Sequence, residues 1–270
     1  QTNQNEQHGG QAIPAFDFFM AKGVSKSFRK HLSSFISFYV AMESNTAVEE
    51  KAIRALIEEH LPSIKTSELE RETLRMALTA LQINIDKEHL ARVIEKAYFQ
   101  TRKDTHQAME GFIHNLNTMH SRGGNQVVFS SINYGTDTSA EGRMVIEELL
   151  TATIEGLGTR GEVPVFPIQI FKVKNGVSYS EEDYQKAMSD FEAAEEGRMT
   201  FSAPNFDLFL KACRTTAKAL FPNFMFLDAP FNQNEKWDAN DPKRYRYELA
   251  TMGCRTRVFE NVVGEKSSLG

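Results

Sequence analysis

The first 122 residues carry apolar side chains at helical spacing. Five of them recur every three or four positions and so share one helix face: Phe28, Leu32, Phe35, Ile36 and Tyr39. The same spacing predicts three further helices, over residues 48–61, 67–81 and 87 to about 120. Pro62 ends the first of these, and Asp86 can cap the last. No strand is predicted in this part of the chain.

After Gly123 and Gly124, short apolar runs alternate with helical segments. Strands are predicted over residues 126–133, 164–173 and 223–228. Helices are predicted to begin at Ser139, Ser180 and Asn205. Strands separated by helices imply parallel crossovers, so the predicted fold class is α/β, with a mainly helical region (1–122) followed by an α/β region (123–270).

Composition and charge exclude several classes of protein. Hydrophobic residues make up 41% and charged residues 25%, as in ordinary globular proteins, and the net charge of −5 argues against binding to a nucleic acid polymer. No apolar run is long enough to span a membrane, and no signal peptide is evident. Two cysteines cannot form a disulfide framework, so we expect reduced thiols in the cytoplasm. Because residue 1 is Gln and the chain ends without a terminal signal, we expect a piece of a longer protein.

The loop from residue 133 to residue 139 is a candidate ligand site, because it joins a predicted strand to the start of a helix. Helix N-termini present unpaired N–H groups that favour phosphate. Thr138 and Glu141 have capping-box spacing, and a well-capped helix is the commoner interpretation of that pattern. Asp137 opposes phosphate binding unless its carboxylate turns away. The candidate contacts with a substrate phosphate or ribose are Asn133, Gly135, Thr136, Thr138 and Ser139.

The two cysteines differ in their surroundings. Cys254 lies close to Arg255 and Arg257, and nearby positive charge favours a reactive thiolate, although a buried structural thiol is the commoner case. Cys213 falls on an apolar helix face and is predicted to be a structural thiol. The seven histidines lack the spacing of a metal site, so we predict none.

Three segments that occur in one order resemble the class III anaerobic ribonucleoside-triphosphate reductases, which are oxygen-sensitive glycyl radical enzymes. They are residues 120–126, residues 131–143 and the most specific one, Met252-Gly253-Cys254-Arg255. Residues 8–11 resemble the paired-glycine segment that precedes the effector-binding helices of the family. The resemblance implies part of a ten-stranded α/β barrel in residues 123–270, with Cys254 on a finger loop inside it.

The same resemblance implies a function. Cys254 would carry the thiyl radical that removes the 3′-hydrogen of a ribonucleoside triphosphate, and an external reductant, commonly formate, would complete the 2′-deoxynucleotide. The glycyl radical segment and the four zinc-binding cysteines of the family are expected outside these residues, so the chain alone should be inactive. The remaining alternatives are a non-catalytic helical dimerisation and nucleotide-binding module, and another glycyl radical enzyme with a non-nucleotide substrate.

Partners also follow from the resemblance. We expect a homodimer, a radical-SAM activating enzyme, and deoxynucleotide or ATP effectors bound at the helical dimer interface in residues 1–122. Four basic residues on the predicted helices could meet effector phosphates, with solvated surface charge as the alternative: Lys30, His31, Arg102 and Lys103.

Overall fold

The computed structural model describes residues 10–43, 49–121, 126–253 and 256–258. The helices in this part of the chain are α1 (Phe16–Glu43), α2 (Glu50–His60), α3 (Glu68–Ala80), α4 (Lys87–Thr118), α5 (Ala140–Glu155), α6 (Glu181–Ser189), α7 (Phe191–Glu195) and α8 (Phe206–Ala219). The strands are β1 (Gln11–Ile13), β2 (His120–Ser121), β3 (Gln126–Val127), β4 (Ser130–Tyr134), β5 (Ile168–Val173), β6 (Asn223–Phe226), β7 (Ala250–Met252) and β8 (Thr256–Val258). A 3₁₀ turn spans Arg244–Tyr247.

The helix starts follow local chemistry and confirm the predicted helices. Ser67 and Glu70 form a complete capping box at α3. The Asp86 side chain accepts a hydrogen bond from the backbone N–H of His89 at 2.9 Å and caps α4. Ser180 caps α6 in the same way. These polar side chains satisfy backbone donors that a helix leaves unpaired, so each start is fixed by a few neighbouring residues.

Four of the described strands form one parallel sheet in the order β1-β4-β5-β6. The predicted α/β class with parallel crossovers is therefore confirmed. The expectation that no strand precedes residue 123 is wrong, because Gln11 pairs with Ser130 at the edge of this sheet. Three residues are too short to show any periodicity, so β1 is defined by its partner alone.

The predicted strand over residues 126–133 is also wrong in its extent. Gln126 and Val127 pair antiparallel with β2, and the sheet strand begins only at Ser130. Val128 is fully buried, whereas Val127 and Phe129 are about two-fifths exposed. The apolar run therefore covers two short strands that belong to different sheets.

The hydrophobic core runs without interruption across residue 122. Leu32 of α1, Leu78 of α3 and Ile94 of α4 belong to the same buried cluster as Ile146 of α5 and Phe171 of β5. The helices of the first half thus pack onto the helix that covers the sheet. Within the described residues, every helix is too short or too polar to span a lipid bilayer.

Helix α8 corrects the prediction for Cys213. The helix buries Leu208, Ala212, Thr215 and Ala219 against the rest of the protein. Cys213 follows Ala212 and points away from that face, so its side chain is exposed. The thiol is not part of the packed core.

Candidate functional site

The loop after β4 lies at the carboxyl end of the sheet, and it turns at Gly135. Gly135 has φ +121°, and a Cβ there would lie 3.0 Å from the backbone oxygen of Lys172. Only glycine fits both the backbone angle and the close approach of the neighbouring strand. The loop is therefore held directly against β5.

A carboxylate of the same chain occupies the backbone amides of this loop. The N–H groups of Gly135, Thr136 and Asp137 donate to Asp17 Oδ2 at 2.8, 3.1 and 3.0 Å. Asp17 lies in the first turn of α1 and is buried. Burial raises the pKa of Asp17, while the loop amides and the charge of Lys172 act against that rise. The backbone N–H groups of this loop do converge as an anion-binding group would, and the carboxylate that they bind in this structure is Asp17.

A second buried carboxylate, Glu248, gathers three side chains beneath the loop. Its Oε2 accepts hydrogen bonds from Thr136 Oγ1 at 2.7 Å and from Lys172 Nζ at 3.0 Å, and its Oε1 accepts one from Trp237 Nε1 at 3.2 Å. Lys172 Nζ also donates to the Pro14 carbonyl oxygen at 2.9 Å. Burial opposes ionisation of Glu248, but Lys172 and the hydrogen bonds outweigh it and lower its pKa.

The helix after the loop is capped by Ser139 rather than by Thr138, so the predicted capping box is wrong. Ser139 Oγ accepts a hydrogen bond from the Gly142 N–H at 3.0 Å. Thr138 Oγ1 instead accepts one from Arg244 at 3.2 Å. Glu141 does not reach back to the cap, because its Oε1 accepts a hydrogen bond from the Ile64 N–H at 2.8 Å. It ties the α2–α3 connection to α5.

Asp137 is a buried acid with few interactions that stabilise its ionised form. Burial, and then the negative charge of Asp17, raise its pKa to about 6, against the hydrogen bonds from Ser139 and the charge of Arg244. Its Oδ1 accepts from the Ser139 N–H at 2.9 Å. A Cβ on Gly142 would lie 2.2 Å from the Asp137 carboxylate, so the helix needs glycine there. The Asp137 carboxylate thus turns inward, away from the open side of the loop.

Two side chains of β4 hold the segment 251–253. Asn133 Nδ2 donates to the Thr251 carbonyl oxygen, and Asn133 Oδ1 accepts from the Thr251 N–H, both at 2.9 Å. Ser131 Oγ accepts from the Gly253 N–H at 3.1 Å. Cys254 comes next along the chain and lies outside the described residues, as do residues 8 and 9 of the paired-glycine segment.

The five predicted substrate contacts are therefore divided by the structure. Asn133, Gly135 and Thr136 are buried and bonded within the protein. Ser139 is exposed, and Thr138 is half-buried. Thr138 lines a cavity of about 1190 Å³. The charged residues in its lining are of both signs: Lys65, Arg71, Arg92 and Arg143, and Glu95, Glu147 and Asp207.

The four predicted effector contacts are also divided. Lys30 and Lys103 are exposed. His31 Nε2 lies 2.6 Å from Asp104 Oδ2, and Arg102 donates to both Glu147 and Glu148 at 2.7 and 2.6 Å. Arg102 thus joins α4 to α5.

One group of possible metal ligands occurs among the described residues. Atoms of His106, Glu110 and Glu155 lie within 4.8 Å of one another. His106 Nδ1 also lies 3.0 Å from Glu148 Oε2. These contacts are those of a histidine among carboxylates, and we assign no metal to them.

Sequence reasoning missed Asp17, Ser131, Lys172, Arg244 and Glu248. Lys172 carried a usable signal, because a lysine inside a mainly apolar strand must find a carboxylate when both faces are covered. The others gave no local sign, since the contacts that tie Asp17 to the loop, Arg244 to Thr136, Ser131 to Gly253 and Glu248 to Lys172 span more than 70 positions of sequence.

Comparison with known proteins places the chain in a family. The family described as anaerobic ribonucleoside-triphosphate reductase matches residues 1–270. The reductase of that name from Enterobacteria phage T4 is 27% identical over 171 residues, which are 63% of this chain and 23% of that protein. The one from Escherichia coli K12 is 25% identical over 169 residues, or 62% of this chain and 19% of that protein. The matched region thus spans about a fifth of the length of these relatives. The chain belongs to the anaerobic ribonucleoside-triphosphate reductase family.

Proposed function

We propose that the chain is part of an enzyme that reduces ribonucleoside triphosphates to 2′-deoxyribonucleoside triphosphates by radical chemistry. The observation that carries this proposal is the match of the whole chain to the reductase family. The geometry supports it at one point: the segment that leads into Cys254 is attached to side chains of β4, and one of them, Asn133, lies near the carboxyl end of the strand, the end at which α/β folds bind ligands.

Cys254 has the central role in this proposal. Its thiol gives up a hydrogen atom, and the resulting sulfur radical takes the 3′-hydrogen of the ribose. The 2′-hydroxyl then leaves as water, a reductant such as formate supplies two electrons, and the hydrogen returns to C3′. A glycyl radical outside these residues supplies the initial oxidising equivalent. The family's structural zinc also belongs outside them.

Two of the five predicted substrate contacts remain well placed for a ligand. Thr138 and Ser139 lie at the start of α5, and Thr138 lines the large cavity, whose wall carries both basic and acidic side chains. The other three serve the buried network, so their effect on substrate is indirect. The proposal also includes a homodimer and a radical-SAM activating enzyme. Nucleotide effectors would bind at Lys30, His31, Arg102 and Lys103.

The decisive experiment replaces Cys254 by serine in the full-length reductase that contains this chain. Deoxynucleotide formation should stop while nucleotide binding stays close to the parent value, because a serine hydroxyl holds its hydrogen too tightly to relay a radical. Cys213→Ser is the matched control, since that thiol is exposed on α8 and far in the sequence from the 251–253 segment. Turnover that survives Cys254→Ser would show that the assignment is wrong.

The two alternatives give different results in the same preparation. A non-catalytic nucleotide-binding module would bind nucleotides and form no deoxynucleotide in either variant. A glycyl radical enzyme with another substrate would depend on Cys254 and yet show no competition between nucleotides of different bases.

A further inference from the structure

The segment that leads into Cys254 is attached to the sheet by side chains. Strand β7 pairs with β8 and is not a member of the four-stranded sheet. Asn133, whose side chain is fully buried, uses its carboxamide for both backbone groups of Thr251, donating to the oxygen and accepting from the N–H at 2.9 Å each. A carboxamide has the same donor and acceptor as a peptide group, so it reproduces one rung of a strand pair.

A second contact fixes the next turn of this segment. Ser131 lies two positions before Asn133 and so faces the same side of β4. Its hydroxyl accepts from the Gly253 N–H at 3.1 Å and lies 3.4 Å from the Thr251 oxygen. Residues 251 and 253 are thus held by two side chains of one strand.

The backbone at Gly253 is restrained from a third direction. Its φ of +61° lies in the left-handed region, and a Cβ there would come within 3.2 Å of the Phe129 ring. Glycine is therefore required, and the ring closes the space on that side. Ser131, Asn133 and Phe129 together therefore restrain the backbone of residues 251–253.

We propose that Asn133 and Ser131 are positioning residues, which set the backbone from which Cys254 emerges and do not themselves contact substrate. The consequence for catalysis rests on the proposed role of Cys254. The attachment of 251–253 does not, and it can be measured without turnover. The two N–H groups of Asn133 Nδ2 face the Thr251 oxygen and, at 3.4 Å, the Ile13 oxygen, so neither is left for a phosphate. Asn133 Oδ1 already accepts from the Thr251 N–H, and the side chain is fully buried.

Asn133→Asp provides a test in which pH turns the hydrogen bonds to Thr251 on and off in one variant. A protonated aspartic acid has an O–H in place of the amide N–H and can rebuild both bonds to Thr251. The ionised form instead sets a negative oxygen against the Thr251 carbonyl oxygen. Protection of the Gly253 N–H from hydrogen exchange should therefore fall about tenfold as the introduced acid ionises, corresponding to about one lost hydrogen bond. Asn133→Leu should show the lower protection at every pH.

Asn117 offers a matched control. Its carboxamide accepts from the N–H groups of Val165 and Phe166 at 2.9 and 3.1 Å, and it donates to the Phe166 oxygen. Asn117→Asp makes the same chemical change at another backbone segment, so it should leave the protection of Gly253 as in the parent chain. Equal protection of Gly253 in the parent, Asn133→Leu and Asn133→Asp chains would overturn the proposal.

The full-length reductase adds a kinetic readout. Asn133→Asp should lower kcat about tenfold or more at high pH, recover at low pH relative to the parent, and leave the dissociation constant of the nucleotide unchanged. A raised dissociation constant with unchanged exchange at Gly253 would instead show that Asn133 contacts substrate. Cys254→Ser could retain turnover while the Asn133 variants still change hydrogen exchange at Gly253. The proposed function would then be wrong, and the attachment of residues 251–253 by Asn133 would still hold.

Discussion

Asp137 should destabilise the chain at neutral pH, and replacing it by asparagine tests this. Its pKa in the folded protein is about 6, against an ordinary value of 3.8. Each unit of difference corresponds to about 1.4 kcal/mol, so the ionised form costs about 3 kcal/mol. Because the folded-state pKa is raised, the stabilising effect of the bound proton is complete below about pH 4 and is lost as the pH rises to about 6. Asparagine does not titrate and keeps an oxygen for the Ser139 N–H.

The free energy of unfolding of Asp137→Asn minus that of the parent should therefore grow by about 3 kcal/mol between pH 3 and pH 7. Urea unfolding followed by circular dichroism at several pH values measures this growth, and any constant effect of the amide group cancels from it. The matched control is Asp190→Asn, because Asp190 makes the same kind of bond, to the Ala193 N–H at 3.0 Å, at an exposed helix start. A difference that is constant with pH, or that shrinks as pH rises, would refute the reasoning.

Two further predictions concern the same region. Gly142→Ala should lower the free energy of unfolding by about 1–3 kcal/mol, because its Cβ would overlap the Asp137 carboxylate. Gly111→Ala in α4, where nothing lies within 4 Å, should raise the free energy of unfolding by up to about 1 kcal/mol. Thermal melting of both variants checks this, and equal effects would contradict it. Lys172→Met should cost about 3–5 kcal/mol because it leaves Glu248 buried without its cation, and adding Glu248→Gln should restore part of that loss in urea unfolding. A double variant less stable than the single one would count against that account.

Sequence patterns predicted the helices well because the signals are local. The apolar spacing of α1 and the caps Ser67 and Asp86 act within one or two turns, and the structure contains the helices that they indicate. The limits of the strands were less predictable. Strand β1 owes its conformation to Ser130–Ile132, far along the chain, and the run at 126–133 is apolar without forming one strand.

The sequence predicted where the loop of the candidate site lies, but it did not reveal which residues bond to that loop. A strand followed by Gly135 and a helix start indicated a loop at the end of the sheet, and the loop is there. Its amides bind Asp17, which is more than 100 positions earlier, and no spacing rule connects the two. Thr138 and Ser139 were both suitable caps by residue type. Arg244, which is more than 100 positions later in the sequence, donates a hydrogen bond to Thr138, and Ser139 caps the helix.

The edge pairing of β1 with β4 has a consequence for biosynthesis. Gln11 and Ser130 are 119 positions apart, so the first strand leaves the ribosome roughly 6 to 24 s before its partner at ordinary elongation rates. During that time α1–α4 can fold and pack on one another, since their caps and contacts lie between the two strands. Among the described strands, the partner of β1 is β4, and the short length of β1 limits the template that it offers to other chains before β4 emerges. Sheet assembly should therefore follow helix formation, with closure of this long loop as a late step.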